Sequence, residues 1–85
     1  MTFEKSLARK PAKIVKRARA IEAKIEAGAT ATEIGARHLR HDRARLSVKI
    51  GQRYRLLVIR RDDGVLEPTA LLTHEEYSRG AWPGS

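Results

Sequence analysis

The chain has 85 residues, a net charge of +8 and no cysteine, which leaves room for one domain with a modest core and excludes disulfide and thiolate chemistry. Its longest strongly apolar run, Leu56 to Ile59, is far too short for a membrane-spanning helix. The basic start also lacks the apolar stretch of a secretory signal, so the expectation is a cytoplasmic protein with no membrane partner.

The charge is uneven: +6 over residues 1–20, −1 over 21–32, +7 over 33–61 and −4 over 62–85. A basic body of this kind suits RNA, DNA or an acidic protein, or serves only as a solubilising surface. In the helical region, about 3–27, Ser6 is placed to cap a short opening turn that includes Leu7 and Ala8. Pro11 fits the first turn of a main helix, in which Ile14, Ala18, Ile21 and Ile25 recur at helical spacing and Val15 widens the stripe. Lys10, Lys13, Arg17 and Lys24 lie to one side of it. The helix is expected to end near Ala27, with Gly28 as its left-handed stop. Residues 28–42 read as an ordered connection, with Thr32 capping a turn through Glu33 and Ile34 and with Leu39 as the anchor to the core.

A sheet is expected over 43–73. Ala44, Leu46, Val48 and Ile50 alternate with Arg43, Arg45, Ser47 and Lys49, the period of a half-buried strand. A two-residue loop after Ile50 would mix charge into the apolar face. A three-residue loop, Gly51-Gln52-Arg53, pairs Ile50 with Tyr54, Val48 with Leu56 and Leu46 with Val58, and register follows the hydrophobic pattern. Asp62-Asp63-Gly64 is a turn. Val65 and Leu66 begin the next strand, Pro68 interrupts it or places its start at an edge, and Thr69 to Thr73 complete it. Residues 74–85 read as one helical turn closed by Gly80, then a tail. The expected fold is thus a single α+β domain over 1–85. An N-terminal helical region packs on a small antiparallel sheet of three to four strands, followed by a short C-terminal helical turn. One sheet face is covered by the helix, and the other stays open with Arg45, Ser47, Lys49 and Arg55.

Lys49 and Arg55 face each other across the expected hairpin, and like charges so placed cost stability. Either both extend into water or they hold an anion; arginine offers a fork suited to phosphate and lysine a point charge. His74 and Tyr77, three apart, share one side of a helical turn. They either pack that turn on the sheet or, with Arg55, form an acid–base set for attack of an RNA 2′-hydroxyl on phosphate. His38, His41 and Asp42 are set aside as metal ligands because cysteine is absent and Arg37, Arg40 and Arg43 crowd the segment; His41 remains a candidate RNA contact. Trp82 either stacks on a base or belongs to the tail. No phosphate-binding glycine loop, Walker motif or Ser-His-Asp set is present, and no cofactor is expected.

The stretches "HLRHDRARLSVKIGQRYRLLVIRRDDG" and "LLTHEEY" resemble the RelE/ParE superfamily of bacterial toxins, in particular its HigB-like and ParE-like members. The matching features are Lys49, Gly51, the Tyr54-Arg55 pair, and His74 with Tyr77; "FEKSLARKPAKIVKRARAIEAKIEAG" is similar to the family's helical region. The family's usual N-terminal strand is short or missing here, since only "MTFE" precedes that region. The resemblance implies the toxin of a type II toxin–antitoxin system, with a separate antitoxin covering the basic face. RelE- and HigB-like members are endoribonucleases that cleave ribosome-bound mRNA without a metal; ParE-like members instead poison DNA gyrase. By the family's pattern Lys49, Arg55, His74 and Tyr77 are the catalytic candidates; the basic segment itself offers Arg40, His41, Arg43, Arg45 and Arg53 as further nucleic-acid contacts. A third alternative on the same scaffold is a noncatalytic, phage-encoded basic protein that binds nucleic acid.

Overall fold

The structure, a computed structural model, describes residues 3–39 and 42–79, with the side chains of Leu39, Asp42 and Arg43 outside that description. Helix α1 (Phe3–Ser6) and helix α2 (Ala12–Glu26) precede four strands, β1 (Arg37–Leu39), β2 (Asp42–Ile50), β3 (Tyr54–Arg60) and β4 (Leu66–Thr73), and helix α3 (His74–Ser78) follows. The strands form one sheet in the order β1-β2-β3-β4, each pair antiparallel. This is the α+β arrangement expected from the sequence, with all four strands present.

Helix α2 lays Ile14, Val15, Ala18, Ile21 and Ile25 against the sheet, and Ala18 is fully buried. Opposite them stand Leu46, Val48, Ile50, Leu56, Val58 and Leu71. The helix stops where expected: Gly28 takes φ +92 and the Ala29 N–H returns to the Lys24 carbonyl at 2.9 Å. Glycine reaches that left-handed conformation without the Cβ clash of other residues. Pro11, at φ −58, sits one position ahead of the helix rather than inside its first turn.

The Ser6 expectation is corrected. Ser6 ends α1 instead of capping a turn through Leu7, and its hydroxyl donates to the Phe3 carbonyl at 2.6 Å. The same oxygen accepts the Leu71 N–H at 2.8 Å. A buried hydroxyl thereby satisfies an outward-facing amide of the edge strand, which would otherwise cost free energy.

Two features of the connection also differ from expectation. Thr30, not Thr32, is the cap: its Oγ1 accepts the Glu33 N–H at 3.2 Å, and Glu33 Oε1 accepts the Thr30 N–H at 2.9 Å. A reciprocal cap needs its acid three residues on, and only Thr30 has Glu33 there. The following residues form β1, paired with β2 through Arg37 opposite Ser47 and His38 opposite Leu46, with a register shift before Leu39. Ile34 is the buried anchor of the segment; the expected anchor, Leu39, has its side chain outside the described residues.

The β2–β3 hairpin has the three-residue loop, with Ile50 opposite Tyr54, Val48 opposite Leu56 and Leu46 opposite Val58. In β3–β4, Leu57 faces Ala70 and Val58 faces Pro68, so Thr69 is the extra residue of a bulge. Its hydroxyl donates to the Leu57 carbonyl at 3.2 Å. Pro68 lies on an edge strand, where its missing N–H breaks no ladder.

The face opposite α2 is not wholly open, as the sequence suggested. Leu57, Ala70 and Leu72 form a second buried cluster there, and Tyr77 of α3 packs against it. The cationic residues occupy the remainder.

Candidate nucleic-acid interface

Strand register assembles the site. Lys49 stands opposite Arg55, Ser47 opposite Leu57 and Arg45 opposite Ile59, and β1 adds Arg37 opposite Ser47. Arg37, Ser47, Lys49 and Arg55 line a groove of about 390 Å³ over Ile34 and Gly35. None of its lining residues carries a carboxylate. Sequence reasoning did not single out Arg37, because a three-residue strand is too short to show alternation; the only hint was its place in the basic run around His38.

Lys49 is exposed and Arg55 half-buried. The Arg55 guanidinium lies over the Tyr77 ring, 5.4 Å from its centroid, a cation–π arrangement that orients the fork. Tyr77 is in turn positioned by a well-anchored α3. Thr73 Oγ1 accepts the Glu76 N–H at 3.1 Å, and Glu76 Oε1 accepts the Thr73 N–H at 2.9 Å, a complete capping box. The His74 N–H reaches the Arg53 carbonyl at 2.6 Å. Lys10 Nζ meets Glu76 Oε1 at 3.5 Å, its side chain only 13% exposed. The hydrogen bond from the Thr73 backbone holds the Glu76 carboxyl below its ordinary value of 4.5; burial opposes this, and the Lys10 charge reinforces it. Lys10 is therefore a brace of α3 rather than part of a free basic row on α2.

Of the four catalytic candidates, Lys49 and Arg55 share the groove and Tyr77 contacts Arg55, whereas His74 begins α3 with an exposed side chain that does not line the groove. Arg45 lies on the same face, half-buried. Arg53 is exposed in the hairpin loop, where its carbonyl anchors α3. Arg43 belongs to β2 by its backbone, and Arg40 and His41 lie outside the described residues; so does Trp82. His38 Nε2 sits 3.3 Å from the Arg60 guanidinium. The groove thus offers two planar forks, a point charge and a hydroxyl to an anionic oxygen cluster, with a phenol at its border.

No helix among the described residues is long and apolar enough to cross a membrane. Comparison with known proteins finds a match to the sequence model of the ParE-like toxin domain over residues 12–79, the segment from the start of α2 through α3. No curated protein and no solved structure matches the chain.

Proposed function

Because this chain belongs to the ParE-like toxin domain family, and is thereby the toxin of a toxin–antitoxin system with a cognate antitoxin as partner, we propose that it inhibits translation by metal-independent cleavage of ribosome-bound mRNA. The observation that supports this reading is the Arg37–Ser47–Lys49–Arg55 groove with the Tyr77 ring against Arg55. The RNA 2′-hydroxyl attacks the adjacent phosphorus, the bond to the 5′-oxygen breaks, and a cyclic phosphate and a free 5′-hydroxyl result. Arg55 and Lys49 stabilise the charge that builds on the phosphoryl oxygens. Tyr77 and His74, one helical turn apart, move the protons to and from the two oxygens. Arg37 and Arg45 extend the backbone contact along the sheet, with Arg53, Arg43, Arg40 and His41 as further contacts.

A second reading, inhibition of DNA gyrase without nuclease activity, is favoured by the ParE-like match and by the position of His74 outside the groove. Inducible expression in bacteria separates the two. Wild type, Arg55→Ala and His74→Ala are followed for growth, mRNA integrity and the SOS response. Growth arrest with mRNA cleavage, reduced about 100-fold or more in Arg55→Ala, supports the endonuclease. Arrest with intact mRNA and an SOS response supports gyrase inhibition. A soluble, folded wild type without effect on growth overturns both.

A further inference from the structure

The molecule carries a second basic surface on the side away from the groove. At 3.6 residues per turn, Lys13, Arg17 and Lys24 align on one side of α2, with Lys16 beside them and Ala20 between; all five are exposed. The row runs about 16 Å along the helix axis. Both acids of the helix, Glu22 and Glu26, lie off this row. Glu22 engages Arg19, which also holds Glu4, and this network lies on the other flank of the core stripe. None of Lys13, Lys16, Arg17 and Lys24 meets a carboxylate among the described residues.

Helix stability does not account for this arrangement. The first turn of α2 has no acid, and cations there oppose the helix dipole. Lys13 with Lys16 and with Arg17 are like-charge neighbours at destabilising spacings. Just ahead of the helix, Arg9 is the one non-glycine described residue at positive φ, +64, a strained conformation of the kind that persists at functional positions. The face also has no apolar or aromatic anchor. Protein interfaces concentrate their binding energy in such anchors and are depleted in lysine, whereas a lysine-rich face suits a phosphate backbone.

We propose that the exposed face of α2, formed by Lys13, Lys16, Arg17 and Lys24, is a sequence-independent contact for the phosphate backbone of a nucleic-acid duplex, separate from the groove between β1, β2 and β3. The groove and this face lie on opposite sides of the sheet, so the chain bridges two nucleic-acid segments or two parts of one folded nucleic acid. The contact is independent of whether the groove is catalytic.

The test uses the full chain and a fluorescein-labelled DNA duplex of arbitrary sequence, with affinity measured across a salt series. The variants are K13Q/K16Q/R17Q/K24Q and, separately, K49Q/R55Q, each with its thermal unfolding midpoint recorded. The α2 variant is expected to remain folded and to lower the slope of log affinity against log salt by about 2–4, at ~0.9 per lost phosphate contact. The groove variant is expected to retain most of that slope. An unchanged slope in the α2 variant overturns the proposal, as does a loss confined to the groove variant. Displacement of the duplex by poly-glutamate at a lower charge concentration than unlabelled duplex requires also overturns it, assigning the face to an acidic protein. Loss of mRNA cleavage with an intact α2 contribution to duplex binding would count against the nuclease reading alone.

Discussion

Gly51 opens the β2–β3 loop at φ +63, and a Cβ built there would approach only Ile14 Cδ1, at 3.8 Å. That is ordinary contact, so the cost of a side chain at this position is conformational rather than steric. Gly51→Ala is expected to lose about 1 kcal/mol, read as a lower denaturation midpoint at unchanged slope in urea. Arg9 is the converse case, a side chain already held at φ +64 in an exposed turn. Arg9→Gly relieves the strain but adds unfolded-state freedom, so the expected net gain is a few tenths of a kcal/mol up to about 1. If Arg9 serves the α2 surface, the same change weakens duplex binding while raising stability, and the two measurements on one variant separate the roles. Ser6→Ala leaves the Leu71 N–H unsatisfied under a buried residue. The expected loss is about 1–3 kcal/mol, well above the Gly51 effect and checked in the same denaturation series.

Helix α3 has five residues, too few to persist without external support. Its support comes from the Thr73–Glu76 capping box, the Arg53 carbonyl and Lys10. Thr73→Ala is expected to cost about 1 kcal/mol and to release Tyr77 from Arg55. Amide exchange should then rise over α3 and hardly at all in β2. The elements differ in how plainly the sequence announced them. Helix α2 and the central hairpin were legible because an apolar period ran long enough to fix both type and register, down to the three-residue loop. Strand β1 was not, since Arg37-His38-Leu39 has no alternation to display and its pairing with β2 exists only in three dimensions. Arg37 was missed as a groove residue for that reason alone. Thr30 was readable in principle, because Glu33 stands three residues after it and the capping box requires that spacing. The role of Ser6 was not, because its partner is 65 residues away. Lys10 was read as one more cation on a helix face; its partner, Glu76, again lies far along the chain.

At the scale of the molecule, among the described residues three carboxyls are held below their ordinary value of 4.5. The Arg19 hydrogen bond lowers Glu4, and the Thr30 backbone and side chain lower Glu33. The Thr73 backbone, joined by the Lys10 charge, lowers Glu76. A depressed folded-state value means the stabilisation is complete above the unfolded value and is lost as pH falls through the folded ones. The thermal midpoint should therefore be flat from neutrality down to about pH 5 and fall below about pH 4. Protonation also raises a net charge that is already +8, and self-repulsion steepens the decline. Glu76→Gln should flatten part of it, and a pH series of melting curves on both proteins checks this. The Ser6–Leu71 bond has one further consequence, and it concerns the order of synthesis. The chain makes Ser6 long before Leu71, so on the ribosome α1 emerges without the strand it is meant to cover. Its place is found only when β4 has left the exit tunnel and joined β3. Between the pairing of β4 with β3 and the docking of α1, the outer edge of β4 is bare, and a neighbouring chain can pair with it. The Ser6 hydroxyl, by taking the Leu71 amide of that edge, leaves one donor fewer for a second copy of the chain to pair with.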